Sequence, residues 1–178
     1  MRAFSLSLLL ATSALFGCQA TLPSDRTPGP MPEGNAALIE YIAQLPYVTA
    51  EPGYRAVHIL WKQAEFEGDF ESLRQTLRAG EIIGDWNHQP DSILMRGDVG
   101  YMLCRALDIK SGLNWVLTGL GRYAWRELNY LGIASPLSET GYVPGGQFLG
   151  FLSRAEDFRD NRRASLTQRA QIGAEMNQ

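Results

Sequence analysis

The sequence predicts an all-α fold: a small single-domain bundle of about six to seven short helices with helix-loop-helix repeats, set after a disordered Pro-rich tether. Three observations predict it. Apolar residues recur at spacings of three and four in one segment after another. Gly, Pro, Asn and Asp punctuate those segments at short intervals. Period-two alternation is absent, apart from short apolar pieces at Ile82-Ile83 and Tyr142-Val143. A chain of 178 residues is long enough for one domain with a real core.

Residues 1–17 have the anatomy of a leader. Arg2 is the basic start, and an apolar run from Phe4 to Phe16 is interrupted only by Ser5, Ser7, Thr12 and Ser13. That run is too short to span a bilayer core, which needs about 20 apolar residues. It ends in Leu15-Phe16-Gly17-Cys18, which resembles the lipobox of bacterial lipoprotein precursors, with Phe16 bulkier than the usual residue there. The resemblance implies cleavage before Cys18 and acylation of its thiol. Gln19, where aspartate would retain the protein in the inner membrane, implies sorting to the outer membrane, with the domain facing the periplasm. Two or more acyl chains hold a protein stably on a membrane, because each buried methylene contributes about 0.8 kcal/mol.

Removal of residues 1–17 leaves 161 of the 178 residues, and the formal charge of −3 becomes −4 with the loss of Arg2. Mild acidity argues against nucleic acid as a partner, since such proteins carry a basic stripe that replaces counterions on phosphate. The cations are nearly all arginine, Lys62 and Lys110 being the only lysines. With Cys18 acylated, Cys104 has no partner in the chain and reads as a small apolar core residue.

Residues 18–34 form the acylated cysteine and the tether. Prolines at 23, 28, 30 and 32 favour extended polyproline II, which at about 3.1 Å per residue reaches on the order of 50 Å. The helical domain is expected over 35–163 and a polar C-terminal helix or tail over 164–178. Asn35 is the expected N-cap of a helix over 36–45, with Ala37, Leu38, Tyr41, Ile42 and Leu45 on one face and Pro46 as its stop. Thr49 and Pro52 open a second, carrying Tyr54, Val57, His58, Leu60, Trp61 and Ala64 and ending near Gly68. Asp69 caps a third over 70–78, closed by Gly80. After a turn-rich connection, 96–107 places Val99, Met102, Leu103 and Ala106 at core spacing. Residues 116–130 read as one helix broken at Gly119 and Gly121, or as two. A helix over 147–158 and a separate polar one over 164–176 complete the set.

Met102-Leu103-Cys104-Arg105-Ala106-Leu107-Asp108-Ile109 overlays Phe151-Leu152-Ser153-Arg154-Ala155-Glu156-Asp157-Phe158 at a constant offset of 49, and Leu94 then meets Val143. Each copy reads as helix, loop, short extended piece, helix. Over residues 70–158 that unit resembles an S-layer homology module, through Gly80-Glu81-Ile82-Ile83, Pro90, Leu94-Met95-Arg96-Gly97-Asp98 and the octet from Met102. The resemblance implies that Arg96, in the tetrad opening the second helix, helps hold anionic wall polysaccharide. Met95 stands where the family has threonine, and the second copy has Pro144-Gly145-Gly146-Gln147 in place of the tetrad. Family members commonly carry three modules; about one and a half are visible here.

No catalytic, cofactor or metal spacing stands out. His58 and His88 are the only histidines and neither lies in a metal-ligand pattern; His58 reads as a hydrogen-bonded core residue. Thr118-Gly119-Leu120-Gly121-Arg122 lacks a preceding strand and a phosphate-loop lysine, so it reads as a helix junction. Trp115, Tyr123, Trp125 and Tyr130 are spaced so that several share one face, which suits core packing or, less simply, stacking on sugars. The loop Asp85-Trp86-Asn87-His88 gathers polar and aromatic groups. Arg96, Asp98 and Trp86 are thus the candidate ligand-binding residues, and Cys18 the acylation site. The expected function is a non-enzymatic structural or binding module for cell wall polymer or an envelope protein. The alternative is an envelope polymer hydrolase in which Asp85, His88 and a further carboxylate share a cleft.

Overall fold

Punctuation by glycine, proline and capping residues cuts the chain into seven helices, with no longer strand among the described residues. The computed structural model describes residues 20–23, 26 and 29–175, so the leader and Cys18 lie outside the described residues. The helices are α1 (Asn35–Gln44), α2 (Ala50–Lys62), α3 (Phe70–Ala79), α4 (Arg96–Ala106), α5 (Leu113–Thr118), α6 (Gly121–Tyr130) and α7 (Gly145–Glu175). The all-α class is as the periodicity predicts. None of the described helices is long and apolar enough to cross a membrane.

The caps explain where these elements start and stop. Asp69 accepts a hydrogen bond from the Ser72 N–H at 2.8 Å and opens α3, satisfying one of the orphan donors of its first turn. Gly80 closes that helix, as expected. Asn35 does not cap α1: Gly34 does, at φ 87° and without a side-chain bond, and the Asn35 N–H donates instead to Glu65 Oε1 at 2.9 Å. Helix α2 ends at Lys62, well before Gly68, because Gln63 turns left-handed at φ 58° and returns its N–H to the Ile59 carbonyl. The segment 113–130 is two helices, α5 being bracketed by left-handed Gly112 and Gly119.

The two C-terminal helices expected over 147–158 and 164–176 are a single one, α7, of 31 residues. No proline or glycine falls between Phe151 and Gln171, so nothing in the chain interrupts the backbone ladder. Its first half is buried through Phe148, Phe151 and Ala155; from Asp160 to Ile172 its residues face solvent. Arginines along α7 reach carbonyls at the C-terminal ends of α2 and α4 and in the loop after α6. Arg154 donates to Ile133 at 2.7 Å, Arg159 to Leu60 at 2.8 Å and Arg162 to Leu107 at 3.0 Å. Carbonyls at helix C-termini lack intrahelical donors, and a cation there also complements the helix dipole.

Three helix-loop-helix units organise the fold: α1 with α2, α3 with α4, and α6 with α7. In each, a short extended piece leads into the second helix, and the three pieces pair with one another. Leu94 donates its N–H to the Val48 carbonyl at 3.0 Å, and Val48 donates to Val143 at 2.8 Å. Antiparallel bridges join Thr49 to Ile93 and Met95 to Tyr142. Val48, Leu94 and Val143 are each fully buried where the pieces meet, a burial of about 1.5–3 kcal/mol per side chain. Close backbone approach is built in as well. A Cβ on Gly100 would lie 2.8 Å from the Trp125 nitrogen, so only glycine lets α4 pack flush against α6.

Part of the tether lies against this domain instead of standing free. Leu22 is buried, its N–H donates to the Asp91 carbonyl at 3.0 Å, and Ile93 donates to Ala20. Thr21 bridges Ser92, and Met31 packs against the core. One apolar leucine among prolines is enough to dock residues 20–22, and the folded part therefore begins before Asn35.

Candidate functional site

In the loop between α3 and α4, exposure alternates from Asp85 to His88, so successive side chains point to opposite sides. Asp85 and Asn87 face solvent while Trp86 and His88 turn inward. Asp85 is fully exposed, with Arg78 Nε at 3.7 Å. His88 is buried, its Nδ1 2.8 Å from the Tyr54 hydroxyl, with the Trp86 and Tyr54 rings at 5.4 and 6.2 Å. Trp86 is half-buried in an aromatic chain that continues through Tyr101 to Trp115. The hydrolase reading needed Asp85 and His88 in one cleft. The alternation separates them, one on the surface and one in the core, and that pairing is corrected.

Asp98 is the carboxylate that His88 senses. It opens α4, where its Oδ2 accepts the Met95 N–H at 2.9 Å. Burial pushes its pKa up, an effect opposed by that hydrogen bond and by the charge of His88. Burial likewise pushes His88 down, with Asp98 acting the other way, and pushes the Tyr54 phenol up. Tyr54 and His88 thus form a buried hydrogen-bonded pair beside Trp86, with the half-buried Asp98 near enough for its charge to act on both. Asp98 and Trp86 are both half-buried, the first bonded to the Met95 N–H at the start of α4 and the second packed in the aromatic chain.

Arg96 is placed where the second and third units touch. Its backbone N–H donates to the Gly141 carbonyl at 2.8 Å, and Nη1 donates to the Ser138 carbonyl at 3.0 Å. The guanidinium packs so closely on Gly141 that a Cβ there would collide with it. Its Nε is enclosed with no acceptor among the described residues. On the outer side of the same junction lie Tyr47 from the first unit, 37% exposed, and Tyr142 from the third, their rings 5.5 Å apart and tilted by 58°. Met95 of the second unit, 44% exposed, is bridged to Tyr142. A surface of two aromatic faces, a thioether and a guanidinium edge suits stacking on sugar rings with a charge-assisted contact to an anionic substituent.

Tyr47 and Tyr142 are the residues the sequence reading missed. Each precedes a valine that enters the junction, so the repeated Tyr-Val pair, at 47–48 and 142–143, is the feature that marks them. The aromatic group around α5 and α6 divides instead: Trp115 and Trp125 are buried, Tyr123 is half-buried, and Tyr130 is 84% exposed. His58 is buried, its Nδ1 3.2 Å from the Ala64 carbonyl and its ring against Phe66 and Trp61.

Two open depressions lie elsewhere. One, of about 590 Å³, is rimmed by Glu33, Glu51, Glu65 and Glu67, and its Arg55 is committed to Glu51 and to the Phe66 and Gly68 carbonyls. The other, of about 360 Å³, has Cys104 on its floor. Burial pushes that thiol's pKa up, leaving it a poor nucleophile. Neither depression includes Asp85 or His88. Among the described residues no three His, Cys, Asp or Glu side chains are placed to hold a metal ion. No family model, curated protein or solved structure matches the chain at a significant level.

Proposed function

We propose that this chain is a lipid-anchored protein of the outer membrane whose helical domain docks on cell wall polysaccharide at the junction of its three units. The observation that carries this reading is the junction itself: three extended pieces converge, and around them Tyr47, Tyr142 and Arg96 come from three different units. A binding surface assembled that way exists only when the whole domain is folded. The three-unit plan also supports the resemblance to S-layer homology modules, whose members commonly carry three. Arg96 here braces the 138–141 loop through Ser138 and Gly141, so it positions the surface besides offering charge to it.

The anchoring part of the proposal rests on Leu15-Phe16-Gly17-Cys18. Intact mass of protein extracted from membranes is expected to show a chain beginning at Cys18 and carrying acyl chains; an unmodified Cys18 or a chain beginning at Met1 contradicts it. Docking is tested by co-sedimentation with purified sacculi. The wild type is expected in the pellet, and Tyr142→Ser and Arg96→Ala are expected largely in the supernatant with unchanged circular dichroism. Absence of wild-type binding to sacculi sinks the wall-polymer reading and leaves an envelope protein as the partner to seek.

A further inference from the structure

Helix α5 is wedged between two left-handed glycines and turns its apolar side outward. Leu113 is 74% exposed, Leu117 72%, Val116 57% and Leu120 45%, while only Trp115 of that helix is buried. Three of these side chains belong to the short helix α5 and the fourth, Leu120, immediately precedes α6; a water-facing position gains nothing from such a group. Next to it, α6 presents Arg122, Arg126 and Tyr130 at i, i+4 and i+8, all exposed. That spacing puts them on one face.

The stretch of chain that carries these side chains holds charge of one sign. From Ile109 to Arg126 the chain holds Lys110, Arg122 and Arg126 and no acidic residue. Glu127, the next carboxylate, is buried. Asp108 is held by Lys110 at 3.0 Å and Glu81 lies 3.6 Å from Arg105, so two neighbouring acids are matched, while the half-buried Glu139 comes near the start of α6 through its backbone carbonyl. Arg122 lies over the Tyr123 ring, and neither Arg122 nor Arg126 is in an ion pair among the described residues.

We propose that the α5–α6 surface is a membrane-contact face: Leu113, Val116, Leu117 and Leu120 enter the interfacial region of an anionic bilayer while Arg122, Arg126 and Tyr130 lie at headgroup level. Apolar side chains beside a basic face are the composition of interfacial elements. Arginine near an anionic leaflet is attracted to it, and tyrosine is enriched at that depth. The charge complementarity selects an anionic lipid surface over a neutral one and over a basic protein partner. The contact stands on this surface alone and requires neither an acyl anchor nor wall binding. Its consequence is orientation, because it holds the domain with one fixed side against the membrane.

The test reads which side touches lipid. The full chain carrying Cys18→Ser and Leu117→Cys is labelled with an environment-sensitive fluorophore, Cys104 being too buried to compete. A matched sample is labelled at Glu67→Cys, in the acidic depression, which shares no lining residue with α5. Both are mixed with vesicles of phosphatidylcholine alone or of phosphatidylcholine with an equal part of phosphatidylglycerol. The apolar leader can hold either sample on vesicles, so location of the label and not binding is the readout. A blue shift and quenching by lipid-borne nitroxides are expected at 117 and not at 67, on the phosphatidylglycerol vesicles. Arg122→Glu with Arg126→Glu is expected to bring the signal at 117 down to that at 67. Equal signals at the two positions, no signal at 117, or a signal at 117 that ignores the charge reversal each overturns the proposal. So does a shift that arises only when an envelope protein extract is added.

Discussion

Burial of His88 beside Tyr54 and Asp98 sets how the domain responds to acid. Its pKa is depressed in the fold, as is that of His58, whereas in the unfolded chain both titrate near 6.5. Below about pH 6.5 the unfolded chain binds more protons than the folded one, so stability is fully present above that value and falls as the pH drops toward the folded-state values. Asp98, whose pKa is raised, works in the opposite sense, but that contribution diminishes as pH rises through its folded-state pKa. Urea unfolding is expected to show a lower midpoint at about pH 5.5 than at about pH 7.5, and His88→Gln to flatten the difference. An unchanged midpoint in the wild type across that window contradicts this account of the buried histidines. Of these residues the sequence revealed the chemistry and not the direction. Asp85, Trp86, Asn87 and His88 are adjacent in the chain, yet alternate members point out and in, so neighbours by number are strangers in space. The tyrosines at 47 and 142 were hidden for the converse reason, being remote in sequence and joined only by strand-like pairing.

Helix α7 ties the bundle together from one side, and its arginines explain part of the chain's preference for arginine over lysine. A guanidinium offers several donors in a fixed fork, and Arg162 uses one nitrogen for the carbonyls of both Leu107 and Asp108. Arg159, with a side chain only 17% exposed, does the same work at Leu60. Arg159→Gln is expected to cost about 1–2 kcal/mol in urea unfolding, in the range of a hydrogen bond to a charged group, and Lys at that position to restore only part of it. Gly100→Ala is expected to cost at least as much, since α4 must retreat from Trp125; a melting temperature equal to wild type contradicts that packing. At this scale the sequence was most legible where a local device is decisive, as with Asp69 opening α3, Gly80 closing it, and the apolar spacing of α4. It was least legible where no local device exists. The change in α7 from buried to solvated leaves the backbone unbroken, and polar composition after Arg159 was mistaken for a boundary.

As a whole the molecule is three similar units around one buried point, Val48, Leu94 and Val143. The offset of 49 already related the second and third units. The first was missed because its second helix, α2, carries Pro52 and Gly53 where the others have different residues, and because its extended piece is only the few residues between Pro46 and Ala50. Pairing of the three pieces, a contact across nearly a hundred residues, is what no local pattern announces. The same holds for Leu22, whose docking is decided by the groove it enters and not by the prolines around it. This architecture gives the domain two separate outward features. The junction bears Tyr47, Tyr142 and Arg96; α5 and α6 bear an apolar surface with a basic border. The first would hold wall polymer and the second would meet lipid, so a protein in the space between membrane and wall would have a use for both.

The measurement that bears most directly on the proposed docking of wall polymer is a titration of isotope-labelled full-length protein, solubilised in a zwitterionic detergent, with muramidase-released wall fragments, followed by amide chemical shifts. The account predicts saturable shifts concentrated at residues 47–49, 95–96 and 138–142, abolished by Tyr47→Ser with Tyr142→Ser. Shifts confined to α5, α7 or the acidic depression, or no shifts at all, would contradict it.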